Sequence, residues 1–485
     1  MPTHDIQAQT QKSVAFRTIG CKLNQCETAQ MQQALLAEGF RLARWDEPAD
    51  IRVINTCTVT AKSDRTCRRE IHLAKRLDPD CVVAVTGCYA QVDPETVAAI
   101  SGVDLVLGNI EKLRLAEHLS GMLGRRGRLA SGASTELADL AGAPPGSDAP
   151  PRDAWRIAAP ISAPVFVSAY PEHPGFAGEF ITHFYGYTRA FLKVQTGCDS
   201  RCAYCIIPAA RGPARSMPQA DVLRQVRLLA TRGFREVVLT GVNLGSWGRD
   251  TGEGSLADLL VSLVERGEVP RFRLSSIEPL EVDVKLMDII ERAGERVARH
   301  LHLPLQSGSD PVLDRMDRPY SARQYMAVVN ELALRLPDAA LGADVIVGFP
   351  GETDAEFDET CDFLEHSPLT YLHVFSYSDR PGTVASTMSG KVHPETIHSR
   401  SLSLRALGER KNATFCERIM GSEQRVLILR ERTGDERLVG LTGNYAEVLV
   451  AGDGSLMNQF ARVRLDRLLP DGRWEATVTG EGGNA

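Results

Sequence analysis

The sequence predicts an α/β protein in three parts: an amino-terminal α/β domain on a parallel sheet, a central partial (β/α)6 barrel, and a small all-β barrel at the carboxyl end. Three observations predict it. Short apolar runs alternate with stretches of helical spacing in the amino-terminal region. After a Pro-rich interval the same alternation repeats six times. From about Gly421 the pattern changes to short β segments broken by Gly, Asn and Asp. Strand-then-helix repetition implies parallel strands with helices on the sheet faces, and closely spaced short strands imply a small barrel.

In the first part, residues 14–19, 51–55, 82–86 and 103–107 read as strands, with helices over 24–38 and 64–77. Residues 141–180 hold eight Pro and four Gly in forty residues. That composition cannot carry a helix or a central strand, so a loosely packed connection is expected. Barrel strands follow at 191–196, 236–240, 272–276, 300–305, 342–347 and 371–377, with helices at 220–232, 256–265, 323–335 and 354–365 between them. In such barrels chemistry sits on loops at the carboxyl ends of the strands. Five short strands at 424–430, 438–442, 445–450, 460–465 and 474–478 make the last part, an architecture often used to hold oligonucleotides. The expected boundaries are 12–125, a linker over 126–186, then 187–416 and 417–482.

The chain has 485 residues, 43% of them hydrophobic and 24% charged, within the range of soluble globular proteins. No apolar run approaches a membrane span, and the polar start gives no export signal, so a cytoplasmic protein without a membrane partner is expected. A net charge of −7 argues against nucleic acid only weakly, because local patches set that affinity. Residues 62–76 carry Lys62, Arg65, Arg68, Arg69, Lys75 and Arg76 against Asp64 and Glu70, either a solvated helix face or an RNA contact. The last part is slightly acidic, with nine Lys or Arg against eleven Asp or Glu from Glu417 to Ala485.

Eleven cysteines in a reducing compartment point to metal, catalysis or packing rather than disulfides. The strongest signal is Cys198-Asp-Ser-Arg-Cys202-Ala-Tyr-Cys205 after the first barrel strand. Three thiolates on one loop can converge on one metal centre. A structural zinc site would need a fourth ligand, and ferredoxin-type spacing differs. Three ligands leave one iron of a [4Fe–4S] cluster open to a cofactor or substrate. In the first part, Cys21, Cys57 and Cys88 stand 36 and 31 residues apart, each just past a predicted strand. In a parallel sheet those positions lie along one edge, where they can meet. Cys26, Cys67, Cys81, Cys361 and Cys416 read as packing residues, and the histidines, His302 and His373 included, form no spaced ligand set.

The Cys-x3-Cys-x2-Cys motif after the first barrel strand resembles the radical S-adenosylmethionine superfamily. The resemblance implies that Cys198, Cys202 and Cys205 bind a [4Fe–4S] cluster whose open iron chelates S-adenosylmethionine, and that Tyr204 lies by the adenine. Reductive cleavage would then give a 5′-deoxyadenosyl radical. Three further segments narrow the match: Gly20-Cys21-Lys22-Leu23-Asn24, Ile54-Asn55-Thr56-Cys57-Thr58-Val59 and Val85-Thr86-Gly87-Cys88-Tyr89-Ala90. With His302-Leu-Pro-Leu-Gln306-Ser-Gly-Ser309 and Asp344-Val-Ile-Val-Gly-Phe-Pro-Gly-Glu-Thr353, they resemble the methylthiotransferases over nearly the whole chain.

That family's pattern implies a second [4Fe–4S] cluster on Cys21, Cys57 and Cys88, a radical S-adenosylmethionine core barrel, and a terminal RNA-binding barrel of the TRAM type. It also implies a pocket for S-adenosylmethionine at Ser276, Glu278, Gln306 and Asp344; for any single one, a structural hydrogen bond is an equal alternative. The expected partners are tRNA, at adenosine 37 of the anticodon loop, and an electron donor such as a flavodoxin or ferredoxin. Segments 20–24 and 372–378 look most like the enzymes acting on threonylcarbamoyladenosine; family members acting on isopentenyladenosine, or on an aspartate of a ribosomal protein, are the alternatives. A non-catalytic iron–sulfur or RNA-binding protein is the alternative from another class. Arg201, Arg211 and Arg215 flank the cysteine loop, and phosphate contact, ion pairing within the fold and cofactor orientation all remain open for them.

Overall fold

The computed structural model describes residues 11–130, 163–171, 175, 176, 178 and 180–481. The chain divides into two compact units. One takes the described residues of Met1–Ile19, Met31–Thr56 and Arg65–Ala169, and the other those of Gly20–Gln30, Cys57–Asp64 and Tyr170–Ala485.

The first unit is a six-stranded parallel sheet. Strands β1 (Ser13–Thr18), β2 (Arg41–Ala43), β3 (Ile51–Thr56), β4 (Val82–Gly87), β5 (Leu105–Leu107) and β6 (Val165–Phe166) lie in the order β2-β1-β3-β4-β5-β6. Every residue of β3 and β4 is buried, as both-face coverage requires. Val83 and Val85 pack with Cys67 and Ile71 on one face, and Val82 and Ala84 with Met31 and Leu35 on the other. Most of the Pro-rich linker lies outside the described residues. Its described part supplies β6, the outermost strand, a place where few ladder bonds are needed.

In the second unit six parallel strands follow chain order: β7 (Ala190–Lys193), β10 (Glu236–Thr240) and β11 (Arg271–Leu274), then β12 (His300–His302), β13 (Ala340–Val347) and β14 (Tyr371–Ser376). A parallel bridge between Phe272 and Val297 joins the two sets of three. One expected strand is divided. After Lys193 the chain makes β8 (Gln195–Thr196), which pairs antiparallel with β9 (Arg215–Ser216), so the cysteine loop leaves a small ribbon rather than the barrel strand itself.

Strands β15 (Glu423–Arg432), β16 (Leu438–Thr442), β17 (Glu447–Val450), β18 (Phe460–Leu468) and β19 (Trp474–Glu481) close a barrel around Val426, Val448, Val463 and Trp474. Strand β17 starts later than expected because Tyr445 turns the chain with φ 71°. A 26-residue helix, Pro394–Ile419, links the two barrels: Leu404 and Leu407 enter the core of the first, Phe415 and Ile419 that of the second. Among the described residues no helix is long and apolar enough to cross a membrane.

The barrels are joined by buried charge. Glu236, fully buried on β10, accepts from Arg271 Nε and from Arg273 Nε at 2.9 Å. Arg271 Nη2 continues to the Leu441 carbonyl at 3.0 Å, and Arg273 to those of Thr442 and Gly443, both at 2.9 Å. Burial opposes ionisation of Glu236, but these guanidiniums with Arg189 hold its carboxyl well below the usual range. Replacing Glu236 by Gln strands the arginines, and the expected loss is about 3–5 kcal/mol of stability in denaturant unfolding. A loss below about 1 kcal/mol would show that the charge does not hold the junction.

Candidate active site

The loop between β8 and β9 carries Cys198, Cys202 and Cys205. Gly197 opens it with φ 71°, and a Cβ there would fall 1.9 Å from the Pro213 carbonyl oxygen, so only glycine fits. Cys198 N donates to Gly212 O at 3.1 Å and Cys205 N to Cys202 O at 3.0 Å, which folds the loop back on itself. All three thiols are half-buried. Burial pushes Cys205 up to about 12 and also raises Cys198. Burial therefore favours the protonated thiol at Cys198 and Cys205, and a metal centre must displace those protons. Arg318 reaches Cys202 Sγ with Nη1 at 3.1 Å, and its Nη2 contacts the Glu278 carboxylate and, at 2.8 Å, Tyr320 Oη. Three thiols beside a buried cation suit an anionic, thiolate-ligated cluster.

The segments that follow β1 and β3 belong to the same unit as this loop. Gly20 has φ 110°, and a Cβ on it would lie 2.8 Å from Cys57 Cβ and 3.2 Å from Cys57 Sγ, so the residue before Cys21 is pressed against Cys57. Glu27, on the helix Lys22–Ala37, takes a two-pronged bond from Arg211 at 2.9 and 3.1 Å, and Asn24 Oδ1 accepts from the same guanidinium at 2.6 Å. Arg211 ends the short helix just past Cys205. Asp64 accepts from Arg380 Nη1 at 2.7 Å and from Thr58 Oγ1 at 2.8 Å, while Ala61 N donates to Ser378 Oγ at 2.9 Å. Cys88, in the first unit, directly follows Gly87, whose register partner is Thr56, the residue before Cys57.

Comparison with known proteins decides the family. Residues 13–108 match the sequence family described as uncharacterized protein family UPF0004, and residues 192–364 match the radical SAM superfamily. The threonylcarbamoyladenosine tRNA methylthiotransferase MtaB of Aquifex aeolicus is 38% identical over 90% of this chain and 96% of its own length. The protein of that name from Bacillus subtilis is 34% identical over 93% of both chains. The chain belongs to the radical S-adenosylmethionine methylthiotransferase family. The tRNA-2-methylthio-N(6)-dimethylallyladenosine synthase of Methylobacillus flagellatus is 32% identical over 94% of this chain and 97% of its own. The solved structure of TsrM, a radical S-adenosylmethionine methyltransferase of Kitasatospora setae with cobalamin and a [4Fe-4S] cluster bound, has a TM-score of 0.52 at 16% identity, covering 78% and 77% of the two chains, which is likeness of fold.

As a methylthiotransferase the chain is an enzyme that transfers a sulfur-containing group, and its superfamily implies a [4Fe–4S] cluster and S-adenosylmethionine. Tyr204 packs half-buried beside Ala203, Met316 and Phe349. Ser276 is half-buried just past β11. Gln306 adopts φ 71°, costly for a non-glycine residue, and is held by hydrogen bonds with Asp344 O at 2.8 Å and Ile346 N at 2.9 Å. Glu278 is engaged by Arg318. Asp344 is shared by two histidines, with His302 Nε2 at 2.9 Å and His373 Nδ1 at 3.4 Å from its Oδ1. The expectation that the histidines form no set is corrected here: their donor atoms and the carboxylate lie within 4.8 Å of one another. They occupy one face of three adjacent strands, where His302 pairs with Gly342 and Asp344 with His373. Aligning the polar positions of those strands could have found them. Arg318 gave no sequence signal.

Of the flanking arginines, Arg211 pairs within the fold, Arg215 donates to Arg211 O at 2.6 Å and lies over Tyr170, and Arg201 is exposed. Cys26, Cys67, Cys81 and Cys416 are buried in apolar cores, and Cys361 packs against one.

Glu281, past β11, stands at the edge of this region with Asn243 Nδ2 at 3.2 Å and Arg249 at 3.1 Å. Burial raises its carboxyl from 4.5 to about 7. The folded state thus holds the proton more tightly than the unfolded chain. That stabilisation is complete below about pH 4.5 and is lost as pH rises through about 7. The stability of wild type minus that of Glu281→Gln is expected to fall over this window, by about 1.4 kcal/mol per pH unit at most. Parallel stability–pH curves for the two proteins would contradict the burial argument.

Proposed function

We propose that this enzyme places a methylthio group on carbon 2 of N6-threonylcarbamoyladenosine 37 in tRNA, using two [4Fe–4S] clusters. Cys198, Cys202 and Cys205 hold the cluster that binds S-adenosylmethionine, and Cys21, Cys57 and Cys88 hold the other. The observation that carries the reading is the docking of Gly20–Gln30 and Cys57–Asp64 within the same unit as the cysteine loop, through Glu27–Arg211 and Asp64–Arg380. It ties the segments bearing Cys21 and Cys57 to the barrel's loops. The names of the relatives at 38% and 34% identity favour the threonylcarbamoyl substrate.

When bound, S-adenosylmethionine would supply both the radical that takes the hydrogen of C2, leaving as 5′-deoxyadenosine, and the methyl group, so that C2–H is broken and C2–S–CH3 is formed. The chain's own share is positioning. Arg318 neutralises charge beside Cys202 and fixes Glu278, and Gln306, Ser276, Tyr204 and Asp344 line the approach of S-adenosylmethionine. In this reading 12–125 is the methylthiotransferase domain, 187–416 the radical core and 417–482 the RNA-binding barrel, with electrons from a flavodoxin or ferredoxin.

The test is deletion of the gene in its host, followed by mass spectrometry of tRNA nucleosides. Loss of 2-methylthio-threonylcarbamoyladenosine, restored by wild type but not by Cys202→Ala or Cys57→Ala, is expected. Loss of the methylthio group from isopentenyladenosine instead would keep the chemistry and overturn the substrate. In the purified protein, anaerobically reconstituted Cys57→Ala is expected to bind about half the iron of wild type. Undiminished iron would exclude the second cluster at that site.

A further inference from the structure

Segments 20–24 and 372–378 are far apart in sequence, yet each sends one ionisable side chain to the inner face of the partial barrel. Lys22 reaches in from the first residue of the helix Lys22–Ala37, directly after Cys21. Its ammonium stands 6.0 Å from the ring centroid of Tyr445 and makes no hydrogen bond or ion pair among the described residues. Glu236, the acid that acts on it, is already engaged by Arg271 and Arg273.

His373 projects from β14 with its side chain 56% exposed and, among the described residues, only Nδ1 engaged, on Asp344. His302 takes the same carboxylate oxygen with Nε2 and meets Tyr371 Oη with Nδ1 at 3.1 Å. A run of ring contacts connects the two: Tyr445, under Lys22, lies 4.6 Å from the ring of His300, His300 stacks on Tyr371 at 5.7 Å, and Tyr371 lies 5.3 Å from His373.

Among the described residues this inner face therefore offers a half-buried ammonium with no ion pair and, on the same face, an exposed imidazole engaged only at Nδ1. An apolar substituent seated here would cover both and satisfy neither, removing water from the ammonium without replacing it. A substituent bearing a carboxylate and a hydroxyl satisfies both, and a charge-assisted hydrogen bond there is strong. We infer that Lys22 and His373 form the subsite for the anionic N6 substituent of the target adenine, with the carboxylate on Lys22 and a neutral oxygen on His373, and that this subsite selects the substrate. The inference rests on the reading that the substituent is threonylcarbamoyl. It makes Lys22 a specificity residue one position from Cys21.

The experiment uses reconstituted full-length enzyme and two tRNA substrates, one with the free threonylcarbamoyl carboxylate and one with its methyl ester. Steady-state KM and kcat are measured for wild type, Lys22→Met, Lys22→Arg and His373→Phe, with iron content as the check on loading. Lys22→Met is expected to raise KM for the acid on the order of tenfold to a hundredfold. Its KM for the ester should stay near the wild-type value, and Lys22→Arg should recover part of the loss. His373→Phe should raise KM for both substrates, because the oxygen it meets is present in each. Equal effects of Lys22→Met on acid and ester, or no effect on either, would overturn the subsite. A wild type that ignores both substrates but converts isopentenyladenosine tRNA would overturn the substrate reading and the subsite with it.

Discussion

Buried carboxylates facing guanidiniums hold the larger unit together. Glu27 meets Arg211, Asp64 meets Arg380, Glu236 meets Arg271 and Arg273, and Glu352 meets Arg400. Each pair joins elements distant in sequence, and each is so little exposed that neither partner can be removed without leaving a buried charge. Apolar packing would hold the same elements with less regard to register. The two-pronged bond of Arg211 to Glu27 fixes both distance and direction, and Arg380 does the same with its fork divided between Asp64 and Thr58. The segments that carry Cys21 and Cys57 are therefore seated in defined positions on the unit that carries Cys198, Cys202 and Cys205.

The parallel strands do the complementary task. Their carboxyl ends lead into the loops that hold chemistry, and the strand interiors need only be apolar and well registered. Thr56 and Gly87 pair across β3 and β4, so both strands end at one level of the sheet. The cysteine loop in the second unit uses another device. A two-residue ribbon, β8 with β9, brackets the loop, and Gly197 gives the sharp entry that a side chain would block.

Most strands were legible because their apolar runs match their burial: 51–55, 82–86, 236–240 and 438–442 coincide with observed strands to within a residue. The helix Pro394–Ile419 was not, because Ser, Arg and Glu crowd it and its few apolar residues serve two separate cores. The helix Val284–Arg292 was hidden by its length alone: nine residues is short, yet Asp283 caps it and Leu286, Met287, Ile289 and Ile290 mark its buried face. Cysteine motifs were legible because their spacing is local. Arg318 and the shared carboxylate of Asp344 were not, because those arrangements exist only once strands far apart in sequence are brought together.

The terminal barrel adds a constraint on how RNA can be held. Its acidic balance is matched by pairing on its surface: Arg464 with Asp466, Arg467 with Glu475, and Arg473 with Asp471. Such exposed pairs contribute little stability and leave no broad cationic field. Positive charge concentrates elsewhere. On the helix Ala61–Leu77, Arg68, Arg69 and Arg76 remain exposed, and on the inner face of the partial barrel Lys22 makes no ion pair among the described residues, whereas Arg189, Arg271 and Arg273 converge on Glu236. An ordinary closed barrel fills its interior with branched apolar side chains. Here positions on β11, β12, β13 and β14 carry Arg273, His302, Asp344 and His373, partnered with one another or with neighbouring groups. A barrel open on one side does not have to exclude polar atoms from its centre. The inner face can therefore present charge and hydrogen-bonding groups to a modified base while the outer face keeps the apolar packing that holds the strands.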